Sequence, residues 1–142
     1  MKNASKSLRR TYKAALAGIE YNGYTLPVYE PPILVTIPDY FIEISSITES
    51  NEANDTLFIR ETSINVEIFT RQNQYQNYDA VDEISGMVSD RILPMIGGNL
   101  VDNDFAFGHI QLESTRYLNE RDTEGEYITR KILTFTQSLI QK

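Results

Sequence analysis

The stretch TSINVEIFTRQNQYQNYDAVDEISGMVSDRIL, Thr62 to Leu93, changes its hydrophobic period in the middle, and that change restricts the fold more than any other feature of the chain. Ile64, Val66 and Ile68 alternate with Ser63, Asn65 and Glu67, the period-two pattern of a half-buried strand. Beyond a polar bridge, Val81, Ile84, Val88 and Ile92 recur at three- and four-residue spacing, which predicts an amphipathic helix. Asp79 is placed to cap its first turn, Asp82 and Glu83 lie near its positive end, and Pro94 helps to end it. One stretch of chain thus carries a half-buried strand, a polar bridge and an amphipathic helix.

The 142 residues, 41% of them hydrophobic, suit one domain large enough to bury a core without staples. Cysteine is absent, which excludes disulfides, thiolate metal sites and thiol nucleophiles. The net charge is −7, yet Lys2, Lys6, Arg9, Arg10 and Lys13 all precede the first acid, Glu20, which leaves eight basic against twenty acidic residues in the rest. A body this acidic argues against tight wrapping of nucleic acid, because phosphate affinity comes mainly from Lys and Arg. No run approaches the roughly 20 apolar residues that span a bilayer, so a soluble protein with no membrane partner is expected. The basic, acid-free start resembles a transit peptide in composition, but Leu8, Tyr12, Ala15, Leu16 and Ile19 share one helical face, as in an ordinary packed helix ending near Gly18.

After that helix, YTLPVYE is a short extended piece whose Pro27 suits an edge, and prolines punctuate PPILVTIP. DYFIEISSI alternates as a second strand, ESNEAND is an exposed loop, and TLFIRETSINVEIFTR is a long strand with a break or bulge expected near Arg60 and Glu61. MIGGNLVDNDFAFG reads as a loop lying over a sheet edge or reaching for a neighbour, and HIQLESTRYL with YITRKILTFTQSLI reads as a closing hairpin. The expected fold class is α+β: a mostly antiparallel β-sheet with two main α-helices packed on one face, plus the C-terminal β-hairpin, all in a single domain spanning 1–142.

Catalytic chemistry finds little support. His109 is the only histidine, and no triad partner can be argued from spacing. DNDFAFGHIQLE places Asp102, Asp104 and Glu113 at the first, third and twelfth positions of a calcium loop, but Ala106 and Phe107 stand where a ligand and the turn glycine belong. Gly97-Gly98 lacks the lysine and hydroxyl of a phosphate loop. The adjacent pair Asp82-Glu83 is explained by the helix dipole. Lys6, Arg9, Arg10 and Lys13 form a basic helix face that suits phosphate, lipid headgroups or an acidic partner, and a solvated face explains them equally well. No catalytic residue, cofactor or metal is therefore assigned. Nine tyrosines remain as a compositional peculiarity: Tyr75 and Tyr78 in the polar bridge, with Phe105 and Phe107 in the long loop, would be exposed and favour interfaces if these segments are loops, and packing beneath their own loops explains them equally well.

The N-terminal helix SLRRTYKAALAGI leading to LPVYEPP, the strand YFIEISSI and the strand-bridge-helix segment RETSINVEIFTRQNQYQNYDAVDEISGMVSDRIL together resemble the tail-terminator, or tail-completion, family of long-tailed bacteriophages. The strand of that segment ends in the aromatic and Thr-Arg step IFTR, Ile68 to Arg71, and HIQLESTRYLNERDTEGEYITRKILTFT looks like the family's C-terminal hairpin. The resemblance implies a non-enzymatic virion protein, assembled in the host cytoplasm as a homo-oligomeric, commonly hexameric, ring. Such a ring caps the tail tube protein, ends tube growth and presents a surface to the head-tail connector at the neck. DNA would then pass through the lumen without specific binding, past a wall whose acidity repels phosphate. Arg71 at the end of the strand, Tyr75 and Tyr78 in the 72–78 bridge, and Phe105 and Phe107 in the 97–107 loop are the residues expected at subunit and ring contacts; a further contact loop is 49–55. Competing readings are another virion joining protein, such as a head-completion or tube-like subunit, a small metal-dependent enzyme using Asp102, Asp104, His109 and Glu113, and a mitochondrial protein with a cleaved start.

Overall fold

A computed structural model describes residues 3–33, 36–51, 59–72, 78–93 and 100–142. The element order is α1 (Ala4–Leu16), β1 (Glu20–Tyr21), β2 (Tyr24–Thr25), β3 (Val28–Tyr29), β4 (Tyr40–Asn51), β5 (Ile59–Gln72), α2 (Asp79–Ile92), β6 (Phe105–Phe107), β7 (Gln111–Arg121) and β8 (Tyr127–Gln141). The main sheet runs β3-β4-β5-β8, and β6 and β7 share the far side of β8 one after the other. Every pairing in it is antiparallel except β3 with β4. The α+β architecture, the two helices on one face and the closing hairpin β7–β8 are all present.

Both helices carry their apolar stripes inward as their periods require. Leu8, Tyr12 and Leu16 of α1 and Val81, Ile84, Val88 and Ile92 of α2 are fully buried, against Ile42, Ile64, Val66, Ile68 and Phe135 from the sheet. The α1 helix lies on β4, α2 lies on β5 and β8, and the helices touch each other. The Arg91 guanidinium of α2 donates to the carbonyls of Ala15 and Ala17 at 3.1 and 2.9 Å, satisfying acceptors that the end of α1 leaves open. Asn3 caps the other end, its Oδ1 accepting from the Lys6 amide at 2.9 Å.

Several local expectations are corrected. The first helix stops at Leu16, and Gly18 follows in a left-handed turn with φ +84°. Asp79 does not cap α2: Tyr78 holds the cap position without a side-chain bond, and Asp79 is the first helical residue, where it and Asp82 complement the dipole. YNGY closes a two-residue hairpin between β1 and β2, with Asn22 and Gly23 both at positive φ, as a type I′ turn demands. No bulge occurs at Arg60 or Glu61, since β5 keeps unbroken register with β8 and pairs β4 there without a shift. The bulges fall at Ser45 in β4 and Glu113 in β7. An interior strand bonded on both sides leaves no room for an extra residue, whereas these two sites border solvent on one side.

The opposite face of the sheet has a smaller core. Phe41, Phe69 and Ile128 are buried there beneath Tyr29, Ile33 and Ile37, supplied by the proline-punctuated segment. Beyond this cover the face is hydroxyl-rich: Asn65 donates to Ser46 at 2.8 Å and accepts from Thr134 at 2.7 Å, and Thr48 meets Ser63.

Candidate functional site

The hairpin β7–β8 and the start of α2 build the most exposed surface of the described fold. Nearly every residue of β7 is exposed, and among the described residues its outer edge bonds to no strand. Over its inner end, Tyr78 at the α2 cap packs edge-on against Tyr117 with ring centres 5.0 Å apart, and Asn119 donates to the Tyr78 hydroxyl at 2.6 Å. The Tyr117 hydroxyl donates to Asp82, which also takes the Lys131 ammonium at 3.1 Å; Lys131 donates in turn to Ser85 at 2.9 Å. The bond from Tyr117 and the ammonium of Lys131 outweigh burial and hold the Asp82 carboxyl below its ordinary pKa. Tyr78 and Tyr117 each remain 41% exposed, so this joint is a fixed platform with aromatic surface to offer.

Arg71 lies on the other face, at the end of β5, and its own chain surrounds it. Its guanidinium faces Asp39 and Asp122 at 3.5 Å and Glu126 at 3.8 Å, and rests 5.4 Å from the centre of the Phe69 ring. Arg130 flanks the same ring at 5.3 Å and pairs with Glu67 at 3.0 Å and Glu120 at 2.7 Å. Burial works against the Arg130 charge, but its two carboxylates more than offset it and raise the pKa. Nearby Glu43 is pushed up by burial and by repulsion from Glu67.

Phe105 and Phe107 depart from the expected exposed loop. They lie on β6, hydrogen-bonded along the end of β8; Phe105 is buried in the main core and Phe107 packs partly buried against it. The physical reason is Asp102. Its carboxylate accepts from the amides of Asp104 at 2.9 Å and Phe105 at 3.1 Å, folding the chain back to the sheet, and from Arg10 of α1 at 2.5 Å. Lys142 completes the latch by donating its ammonium to the Asp102 carbonyl at 2.8 Å. Burial opposes the Asp102 charge, yet Arg10 and the two amides hold its carboxyl below the usual range. Asp102 is thus occupied in holding the fold, while His109 is exposed just before β7 and Glu113 is exposed at the bulge within it. Among the described residues no group of three or more His, Cys, Asp or Glu side chains is gathered to hold a metal, and no helix is long and apolar enough to cross a membrane.

Tyr75, and with it most of the 72–78 bridge and the 49–55 loop, lies outside the described residues. The basic face of α1 lines a groove of about 520 Å³ formed by Lys6, Arg9, Arg10, Lys13, Ala14, Ala17 and Glu30. A second groove of about 260 Å³ shares Arg9 and Glu30 and opens onto β4 around its bulge, at Ile44 to Ile47. Arg10 is committed to Asp102, while Lys6 and Lys13 are exposed and Arg9 is half-buried between the two grooves.

No protein-family model matches the chain, and no curated protein matches it in sequence. In fold it is similar to a chain of the virion of a native gene transfer agent (GTA) particle, with a TM-score of 0.71 and 12% identity, the superposition covering 100% of each chain. At that identity the likeness establishes a shared fold over the entire length of both.

Proposed function

We propose that the protein is a structural component of a phage-like virion, and within it a tail terminator: a ring that caps the tail tube, ends its polymerisation and offers the neck connector an attachment surface. The observation that carries this reading is the full-length likeness to a chain of a gene transfer agent virion. The element order and the IFTR step supply the finer assignment by their resemblance to the terminator family. An exposed eleven-residue edge strand with an aromatic platform beside it is also what an assembling protein needs, since such edges are managed by pairing or by covering. Tyr78 and Tyr75 are the aromatic contacts we assign to neighbouring subunits, and Arg71 supports the sheet behind them. DNA would pass the acidic lumen without specific binding.

The test is the mass of the purified protein in solution by light scattering, with negative-stain images of the protein alone and mixed with tail tubes. Rings that cap tubes of fixed length support the terminator. Rings that stack into tubes by themselves indicate a tube-like subunit, and a monomer that ignores tubes overturns the reading.

A further inference from the structure

The outer surface of the helical layer is divided by charge. On α1, Lys6, Arg9 and Lys13 follow one another at three- and four-residue spacing, on the side of the helix that faces Glu30 and the edge of β4. On α2, Glu83 and Asp90 stand two turns apart on one exposed face. Their neighbours with structural duties are spoken for: Arg10 by Asp102, Asp82 by Tyr117 and Lys131, and Arg91 by the end of α1. Among the described residues, none of the three cations and neither of the two anions has an ion-pair partner. A protein of net charge −7 thus keeps a cluster of cations beside two grooves on one flank and anions on the other helix, both without ion-pair partners among the described residues.

We propose that these stripes meet between copies of the chain: Lys6, Arg9 and Lys13 of one copy receive Glu83 and Asp90 of the next. The occupant is a second copy because the chain carries the complementary charge itself, at matching helical spacing, while the acidic remainder repels nucleic acid phosphate. Because the stripes belong to different helices, a copy whose cations are engaged still offers its anions to a third. That is a heterologous, head-to-tail contact, the kind that closes rings. The proposal rests on the ring reading above and names the contact that would order the ring.

The experiment uses the full chain in three forms, with association followed by light scattering and tube capping by negative stain. Lys6→Glu/Arg9→Glu/Lys13→Glu places acid against acid and should weaken self-association by about a hundredfold, since like charges juxtaposed across an interface cost several kcal/mol. Adding Glu83→Lys and Asp90→Lys to the same chain exchanges the two stripes and should restore association, which also shows that the reversed helix folds. Wild-type association should fall as salt rises from about 0.05 M to about 0.5 M, where the screening length shrinks from more than 10 Å to a few ångströms. Association of the triple variant equal to wild type overturns the contact and leaves the ring reading intact. Failure of the five-substitution chain to recover also overturns it, and assigns the cations to a different partner. A wild-type chain that never self-associates, with or without tubes, overturns both.

Discussion

The two faces of the sheet are stabilised by different chemistry. Under the helices, Leu8, Tyr12, Ile64, Val66, Ile84 and Phe135 exclude water almost completely, and the few buried polar groups are mutually satisfied: Tyr12 donates to Gln137, whose amide donates to Thr62 at 2.7 Å. Burial alone pushes the Tyr12 phenol far above its ordinary pKa, so it stays a neutral donor. On the opposite face a thin apolar cluster is flanked by two arginines and a set of carboxylates, and the remainder is hydroxyls. The helical face draws its stability from apolar area, while the other face gives up stability for a surface that stays polar.

That contrast sets the order of expected effects. Leu8→Ala removes a fully buried side chain from the helical core and should cost about 2–5 kcal/mol in urea unfolding. A loss below about 1 kcal/mol would mean that α1 is dispensable to the core, as a cleaved leader would be.

Asp102→Ala strands the Asp104 and Phe105 amides and the Arg10 guanidinium, and should cost about 1–3 kcal/mol. The same carboxyl gives a pH signature. Its folded pKa lies below the unfolded value, so its contribution is present at neutral pH and is lost as pH falls below about 4. Asp102→Asn should flatten the stability profile in that acid range, measured by urea titrations at stepped pH.

Glu43 on the other face has the opposite sign. Its folded pKa lies above the unfolded value, so ionising it at neutral pH opposes folding, and the penalty is relieved as pH falls through the raised pKa. Glu43→Gln should therefore stabilise the protein at pH 7, by less than about 1 kcal/mol. A decrease in stability would place Glu43 among the groups that hold Arg130 and its neighbours together.

Leu118→Ser, on the exposed edge strand, should change the free energy of unfolding by no more than about 0.5 kcal/mol. A larger destabilisation would show that this side chain belongs to a core, and would leave β7 a weaker docking surface.

What the sequence disclosed about these faces followed the range of the forces involved. Periodicity is local, so the buried stripes Val81–Ile84–Val88–Ile92 and Ile64–Val66–Ile68 could be read directly. Phe69 falls on the strand face that alternation marks as polar, and it is buried because Phe41, Tyr29, Ile33 and Ile37 gather over that face, contacts between distant segments. β6 escaped for the same reason: DNDFAFG is loop-like in composition, and three residues become a strand because β8 is already there to bond with them. Arg10 and Asp102 are 92 positions apart, and no spacing rule reaches that far. The Asn22-Gly23 hairpin is different. Its turn signal is local and was legible in YNGY, but strands of two residues leave too little alternation to frame it. For the candidate site, the basic stripe of α1 was visible in the chain, whereas the pairing of Tyr78 with Tyr117 was not.

The central position of β8 has a consequence for how the protein comes into being. β8 bonds to β5 along one side and to β6 and β7 along the other, and it follows all three of them in the chain. Until residues 127–141 emerge, β5 has one edge open, and β6 and β7 have nothing to join. The nascent chain must therefore carry unpaired strands and the floor of the helical core until β8 has been made, the interval in which such strands are most exposed to aggregation.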